Sequence, residues 1–278
     1  MPHRQVAYGA RLLPAKRGQA MHPVLFHIGP LEVRSYGVMI VVGFALAVWW
    51  SMRTAPRYGI DAQNVLDMVL GTALTGVLTS RLVFVLLNWQ GFAREPLRTL
   101  YFWEGGLSFH GAVIGGGLAV AVMSRRRGIP FLQLADVLAP GVALAYAVGR
   151  IGCFLGGCCY GVPTNLPWAC SFQDPFNPHV HTPPSHPTQL YASLSNLFIF
   201  ALLARMQKPP HPVGKVFWAY LVLYGVYRFI VEFWRIGATS SVLALGLSDA
   251  QWVSVVMVLL GGAGWARARF VEGVSQSS

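Results

Sequence analysis

The sequence predicts an all-α integral membrane protein of seven transmembrane helices, with its N-terminus outside and its C-terminus in the cytoplasm. Three observations carry that prediction: an apolar composition, seven long apolar runs, and basic residues gathered in alternate loops. Of the 278 residues, 54% are hydrophobic and only 11% are charged, whereas soluble domains carry roughly a quarter charged residues. That much apolar side chain calls for lipid as the solvent. A net charge of +11 is found in nucleic-acid-binding proteins too. Here, however, the basic residues form short clusters between apolar runs, not a patch with interleaved aromatics, which argues for membrane topology and against nucleic acid as a partner.

A span needs about 20 predominantly apolar residues. In chain order the runs are about 36–52, 65–87, 107–123, 134–155, 189–206, 216–234 and 243–265. Loop punctuation separates them at Ala55-Pro56, Glu95-Pro96, Gly128 to Pro130, Pro183-Pro184 and Pro209-Pro210. No internal repeat or low-complexity tract interrupts a single bundle domain over residues 21–270, with 271–278 as a cytoplasmic tail. Arg53 and Arg57 follow the first run, Arg125, Arg126 and Arg127 the third. Arg205, Lys208 and Lys215 follow the fifth, and Arg267 and Arg269 the seventh. The alternate loops are poorer, and Cys158 to Thr188 has no Lys or Arg at all. The odd-run loops therefore face the cytoplasm.

Residues 1–20 run against this rule, since Arg4, Arg11, Lys16 and Arg17 would be translocated. Met21 opens a self-sufficient start that lacks those charges, so the preceding segment is read as a mis-assigned or disordered extension. The rival reading is a signal peptide with VMIVVGFALA as its apolar core. Its basic region would be unusually long, and cleavage near Ala47 would remove Tyr36.

A charged group at the bilayer centre costs at least about 2.5–3.5 kcal/mol on insertion scales, so such residues turn inward and mark function. Arg81, Arg150 and Arg228 lie within predicted spans, with Glu232 one helical turn after Arg228 on the same face. Asp136 and His110 lie near span ends. Structural ion pairs would account for Arg228 with Glu232, and serve as the plainer reading of Arg81. Three arginines with few buried acids leave positive charge over, which an anionic ligand would offset. Arginine's planar fork suits phosphate, and the phosphate of a membrane is a phospholipid headgroup.

The runs WEGGLSFHGAVIGGG and VGRIGCFLGGCCYG are too rich in glycine for plain helix. Close helix packing is one reading of Gly115, Gly116 and Gly117. Backbone that approaches a ligand beside His110 and Arg150 is another. Cys153, Cys158, Cys159 and Cys170 cluster at or beyond the outer end of the fourth run, near His179, His181 and His186. Their spacing matches no standard zinc pattern. A disulfide tying the outer loop, with Cys170 as one partner, free thiols, or a metal site all remain open.

Taken together and in order, these motifs resemble the prolipoprotein diacylglyceryl transferase family over about Pro23 to Arg267. The likeness rests on Gly29-Pro30, on Arg34 to Gly37, on Ser80-Arg81, and on WEGGLSFHGAVIG around His110. It continues through Gln133 to Pro140, the Gly-Arg-x-Gly signature at Gly149, Arg150 and Gly152, HPTQLY at His186 to Tyr191, and YRFIVEFWR at Tyr227 to Arg235. Cys153 stands where many relatives have Asn, Ala112 where Gly is usual, and Ala192 where an acid is common, which reads as a subgroup variant.

The resemblance implies a multi-pass enzyme of the bacterial inner (cytoplasmic) membrane. Its partners would be phosphatidylglycerol, membrane lipid and the signal-peptide lipobox of a preprolipoprotein. The diacylglyceryl group would pass to the lipobox cysteine thiol, giving a thioether and glycerol 1-phosphate, with no metal or organic cofactor. Arg150 and Arg228 are assigned to the phosphate, with Glu232 positioning Arg228. His110 is the candidate general base, because imidazole titrates near physiological pH; the alternative is that it shapes the pocket while an arginine-bound phosphate oxygen takes the thiol proton. Tyr36 would hydrogen-bond the headgroup or assist proton transfer. Arg81, Gly149, Gly152, Gly161, His186, Gln189 and Tyr191 complete the expected substrate contacts. Two other classes compete: an anion transporter or channel, which would show inverted repeats between halves, and a quinone-linked thiol oxidase, which would need a reactive cysteine pair. For the N-terminus, intact-mass measurement of the native protein should give a chain starting at Met21; retention of residues 1–20 would overturn that start.

Overall fold

Membrane-length helices dominate the computed structural model, which describes residues 21–29, 31–101, 106–173, 181–208, 211–236 and 246–277. The extension over residues 1–20 and His179 lie outside the described residues, as does Ser278 at the end of the expected tail. The side chain of His110 is likewise outside the described side chains.

The chain enters through a hairpin that the all-α expectation missed. Strands β1 (Val24–Ile28) and β2 (Leu31–Arg34) pair antiparallel, with Phe26 opposite Val33 and His27 opposite Glu32. Gly29 takes the left-handed conformation at the turn, φ 58°, where a Cβ would be penalised. Such strands are too short to register as an apolar run.

Eight α-helices follow among the described residues: α1 (Ser35–Thr54), α2 (Ala62–Leu87), the single-turn α3 (Trp89–Phe92), α4 (Phe109–Arg126), α5 (Phe131–Leu155), α6 (Thr188–Met206), α7 (Lys215–Val231) and α8 (Asp249–Ser277). Five segments among the described residues are long and apolar enough to cross a membrane: α1 with the 3₁₀ turn that extends it to Tyr58, α2, α5, α6, and α7 with its extension to Trp234. Helices α4 and α8 occupy the third and seventh predicted runs. Glycine dilutes their apolar surface, at Gly111, Gly115, Gly116 and Gly117 in α4 and at Gly261, Gly262 and Gly264 in α8.

The outer surface shows what solvent the bundle expects. Helix α2 turns Leu74, Leu78, Leu82 and Leu86 outward at successive i, i+4 positions, each more than half exposed. A stripe like that would aggregate in water; against acyl chains it is the ordinary surface of a multi-pass membrane protein.

Helix α5 is the most buried of the five and packs between α1 and α6. Ala139 and Ala143 of α5 join Ile199 and Leu203 of α6 and Val216 and Ala219 of α7 in one apolar cluster. The α1–α5 seam depends on small residues. A Cβ on Gly141 would lie 2.9 Å from Ala47 O, and one on Gly43 would lie 2.9 Å from Ala145 O. Glycine lets these backbones touch, which is how helices associate where lipid removes the hydrophobic drive.

Two of the buried polar groups bind other parts of the chain. The Asp136 carboxylate accepts the backbone N–H of Gly214 at 2.6 Å and of Phe217 at 2.7 Å, capping the start of α7, where free N–H groups and the helix dipole favour an anion. Gln207 extends the network, donating to Asp136 O at 2.8 Å and accepting from Trp50 Nε1 at 3.0 Å. Among the described residues Arg81 donates to the carbonyls of Thr99 at 2.9 Å, Gly106 at 3.1 Å and Arg98 at 2.6 Å, and lies over Phe84 and Phe92. It thereby ties the segment after α3 to α2.

Overpacking a close seam costs about 1–3 kcal/mol, and each kcal/mol shifts the midpoint by roughly 2–4 °C at this size. Gly141→Leu should therefore lower the thermal unfolding midpoint of the purified protein in detergent by several degrees. Gly117→Ala, whose Cβ would meet nothing within 4 Å, should not lower it. Equal midpoints for the two variants would refute the seam.

Candidate functional site

One end of the bundle gathers the start of α1, the end of α5, the start of α6, the end of α7 and the start of α8. Arg150 sits a turn and a half before the end of α5. Its Nη2 donates to Tyr146 Oη at 2.6 Å, its guanidinium lies 4.8 Å from the centre of the same ring, and Nη1 is 4.0 Å from Cys153 Sγ. Tyr146 is four residues earlier, so the helix itself sets this contact. Among the described residues no carboxylate forms an ion pair with Arg150. The guanidinium faces a small cleft lined by Arg150, Cys159, Thr188, Ala192, Tyr227, Val231 and Arg235. Two cationic side chains thus share a cleft that holds no acid.

Arg228 has a different setting. It pairs with Glu232, four residues on, and both side chains are buried, at 10% and 2% exposure. Glu232 also accepts from Ser248 Oγ at 3.3 Å. Ser248 in turn caps α8: its Oγ accepts from Gln251 N at 3.3 Å while Gln251 Oε1 accepts from Ser248 N at 2.9 Å, a reciprocal capping box. The ion pair is therefore fastened to the start of the last helix.

The loop between α5 and α6 closes the site. Gly161 N donates to His186 O at 2.9 Å, Val162 N to Trp234 O at 2.8 Å, and His186 N to Val162 O at 3.1 Å. These bonds press three chain segments together at Gly161, where a Cβ would fall 2.2 Å from Trp234 O; only glycine fits. Gly152 makes a comparable approach to α1: a Cβ there would fall 2.9 Å from Met39 Cβ and 3.3 Å from Tyr36 Cα. That contact seats Tyr36, half-exposed, over the end of α5. A Cβ on Gly149 would lie 3.3 Å from Ile40 Cδ1 in the same seam.

His186 is buried, its Nδ1 3.2 Å from Tyr191 Oη, and Tyr191 Oη also accepts from Trp168 Nε1 at 2.7 Å. Gln189, 1% exposed, donates through Nε2 to Cys158 O at 2.7 Å, and its Oε1 has no partner. Thr188 Oγ1 donates to Cys159 O at 2.8 Å. The four cysteines are free thiols. Cys153, Cys158 and Cys159 come together, whereas Cys170 lies apart, pairing its backbone with Ser185. The Cys159 thiol is held well below its usual range by hydrogen bonds from Cys153 and Cys158, and further by the positive charge of Arg150 and Arg235.

The structure thus unites Arg150, Gly149, Gly152, Gly161, Tyr36, His186, Gln189 and Tyr191 at one end of the bundle, with Arg228 and Glu232 beside them. Arg81 is not among the residues lining the cleft. His110 is the second residue of α4, whose start is held to α2 by Ser80 Oγ donating to Ser108 O at 2.8 Å. Sequence reasoning overlooked Tyr146, Tyr227, Ser248 and Arg235. For Tyr146 the i, i+4 spacing to Arg150 was the available signal, and for Arg235 its place at the end of the YRFIVEFWR run.

Comparison with known proteins identifies the family. The family model described as prolipoprotein diacylglyceryl transferase matches residues 23–267. The phosphatidylglycerol–prolipoprotein diacylglyceryl transferase of Idiomarina loihiensis is 38% identical over 249 residues, covering 87% of this chain and 91% of that protein. The enzymes of the same name from Geobacter sulfurreducens and Trichormus variabilis are 37% identical over 244 residues and 35% identical over 257. Their alignments cover 86% and 88% of this chain, and 92% and 88% of theirs.

Removing one partner of a buried ion pair costs about 3–5 kcal/mol, while replacing both with apolar groups costs far less. Glu232→Leu should therefore destabilise the detergent-solubilised protein strongly. The double variant Arg228→Leu, Glu232→Leu should recover part of the loss in thermal unfolding; a double variant no more stable than the single would contradict the pairing.

Proposed function

The chain belongs to the prolipoprotein diacylglyceryl transferase family, and from that premise we propose that it transfers the diacylglyceryl group of phosphatidylglycerol to the lipobox cysteine of a preprolipoprotein. The observation that carries this reading is Arg150, half-buried near the end of α5 beside Arg235 in a cleft whose described lining includes no acid.

The chemistry asks for that arrangement. The cysteine thiolate attacks the glyceryl carbon, a carbon–sulfur bond forms, and the carbon–oxygen bond to phosphate breaks. The thiol proton is released, and glycerol 1-phosphate departs. The phosphate changes from a diester with one negative charge to a monoester with a second, so negative charge grows on the leaving group during the step. A preorganised guanidinium in a water-poor cleft stabilises that growing charge better than it stabilises the substrate, which is what lowers the barrier.

Arg150 is assigned to the phosphate, joined by Arg235 on the same wall. Arg228, held by Glu232, stands behind them and adds positive potential. Tyr36 covers the cleft from α1 and hydrogen-bonds the headgroup. His186, Gln189 and Tyr191 shape the entrance used by the peptide, and the unpartnered Gln189 Oε1 is an acceptor for a hydroxyl or amide donor of the substrate. His110 remains the candidate base, and Arg81 acts by holding the segment that leads to it. The lipid setting follows the same reading: seven spans, with α4 and α8 as the third and seventh, the N-terminus outside and the C-terminus in the cytoplasm of a bacterial inner membrane. No observation favours an anion transporter.

The test is transfer from labelled phosphatidylglycerol to a lipobox peptide by the purified protein in detergent. Wild type should form labelled thioether, and Arg150→Ala should lose about 10²–10³-fold in turnover, the cost of removing one preorganised donor. Equal turnover in both would remove Arg150 from the chemistry, and no product from folded wild type would overturn the function.

A further inference from the structure

Three thiols meet at the rim of this cleft, and neither the transfer reaction nor the fold requires them. Cys153 is in the last turn of α5, and Cys158 and Cys159 follow in the loop. Their three sulfurs all lie within 4.8 Å of one another. A metal–thiolate bond of about 2.3 Å places the sulfurs of a trigonal three-thiolate site about 4 Å apart, so the observed cluster needs to close by less than an ångström to bind.

The loop is built to present the sulfurs. The chain reverses at Gly157, φ 72°, and Cys159 itself takes φ 65°, the only non-glycine residue with positive φ among those described. A non-glycine residue pays for that conformation, and here it brings Cys159 back over Cys153. Cys158 N donates to Cys153 O at 3.1 Å, closing the turn. From the far side Gln189 and Thr188 of α6 donate to the carbonyls of Cys158 and Cys159. Outer-shell bonds of this kind fix ligand orientation in metal sites. Charge is matched as well: three thiolates around a monovalent or divalent cation leave a net anion, and Arg150 and Arg235 line the same cleft as Cys159.

A disulfide explains the cluster less well. It would consume two sulfurs and leave the third without a role. The adjacent pair Cys158–Cys159 has Cα atoms about 3.8 Å apart, short of the 4.4–6.8 Å that disulfides span. Three soft sulfurs with no carboxylate or imidazole in the set select a thiophilic ion over a hard one.

We propose that Cys153, Cys158 and Cys159 form a three-thiolate binding site for a soft cation of the zinc(II) or copper(I) class, bracing the α5–α6 loop at the wall of the Arg150 cleft. The test loads reduced, purified full-length protein in detergent with zinc(II) or copper(I) separately, removes free ion by desalting, and counts the metal retained. One ion per chain is expected in wild type and in Cys170→Ser, with retention falling at least tenfold in Cys153→Ser, Cys158→Ser and Cys159→Ser. X-ray absorption of the loaded wild type, which needs no variant to fold, should show three sulfurs at about 2.3 Å. Three sulfurs around either ion support the site, and the ion retained more fully after desalting is the better fit. A shell of oxygen and nitrogen alone, no ion retained, or equal loss in Cys170→Ser would overturn the site, as would a Cys153–Cys158 or Cys153–Cys159 disulfide found by mass spectrometry in protein isolated without reductant.

Discussion

The structure turns on the scarcity of water inside the bundle. A backbone N–H, a carboxylate or a guanidinium that enters a membrane domain must find its partner within the protein, because hydrocarbon offers none. Most of the buried polar groups obey by pairing completely. Asp136 closes the open N–H groups of α7. Arg81 is wrapped in carbonyls. Arg228 has its carboxylate, and that carboxylate has Ser248. Arg150 is held by a phenol, a ring face and a thiol, none of which cancels its charge. The three arginines, Arg81 and Arg228 buried and Arg150 half-buried, thus divide by how fully their charge is answered, and the one answered least stands at the cleft.

Packing explains why the cleft lies where it does. The glycines of the α1–α5 seam bring the two helices into backbone contact, and the last of them, Gly152, sets Tyr36 against the end of α5. Gly161 does the same for the α5–α6 loop and the segment after α7. A reacting lipid and a peptide thiol have to be aligned within about an ångström for efficient transfer. Cleft walls drawn from α5, α6 and α7 at one end of a closely packed bundle offer that rigidity more readily than mobile loops would.

Much of this was legible in sequence because lipid imposes such a strong pattern. The run predicted over 36–52 became α1 (Ser35–Thr54), and the run over 134–155 became α5 (Phe131–Leu155). The hairpin escaped because its four- and five-residue strands carry no length signal against a 20-residue criterion. The cysteines were grouped from sequence, with a metal site as one of three readings, but which three of the four meet was not legible. The spacing from Cys153 to Cys158 and Cys159 resembles no metal pattern in a helix or a regular loop, and it works only because the backbone at Gly157 and Cys159 turns left-handed. Ser248 illustrates a third limit: its role is plain once Glu232 lies beside it, but the two are separated by a long segment whose path the apolar pattern does not describe.

The identity of Arg150's partner bears on catalysis as well as on stability. A carboxylate at position 146 would hold the guanidinium as firmly as Tyr146 does, and would recover more of the cost of burying it. It would also pair off the positive charge that the departing phosphate needs. A phenol orients the guanidinium through its hydroxyl and supports it through its ring, leaving the charge available to the cleft. The planar fork of arginine can accept that hold on one edge and still present the other, which a lysine ammonium cannot do. Incomplete compensation of a buried charge costs stability, and at Arg150 that cost is the source of the field that a leaving group gaining negative charge requires.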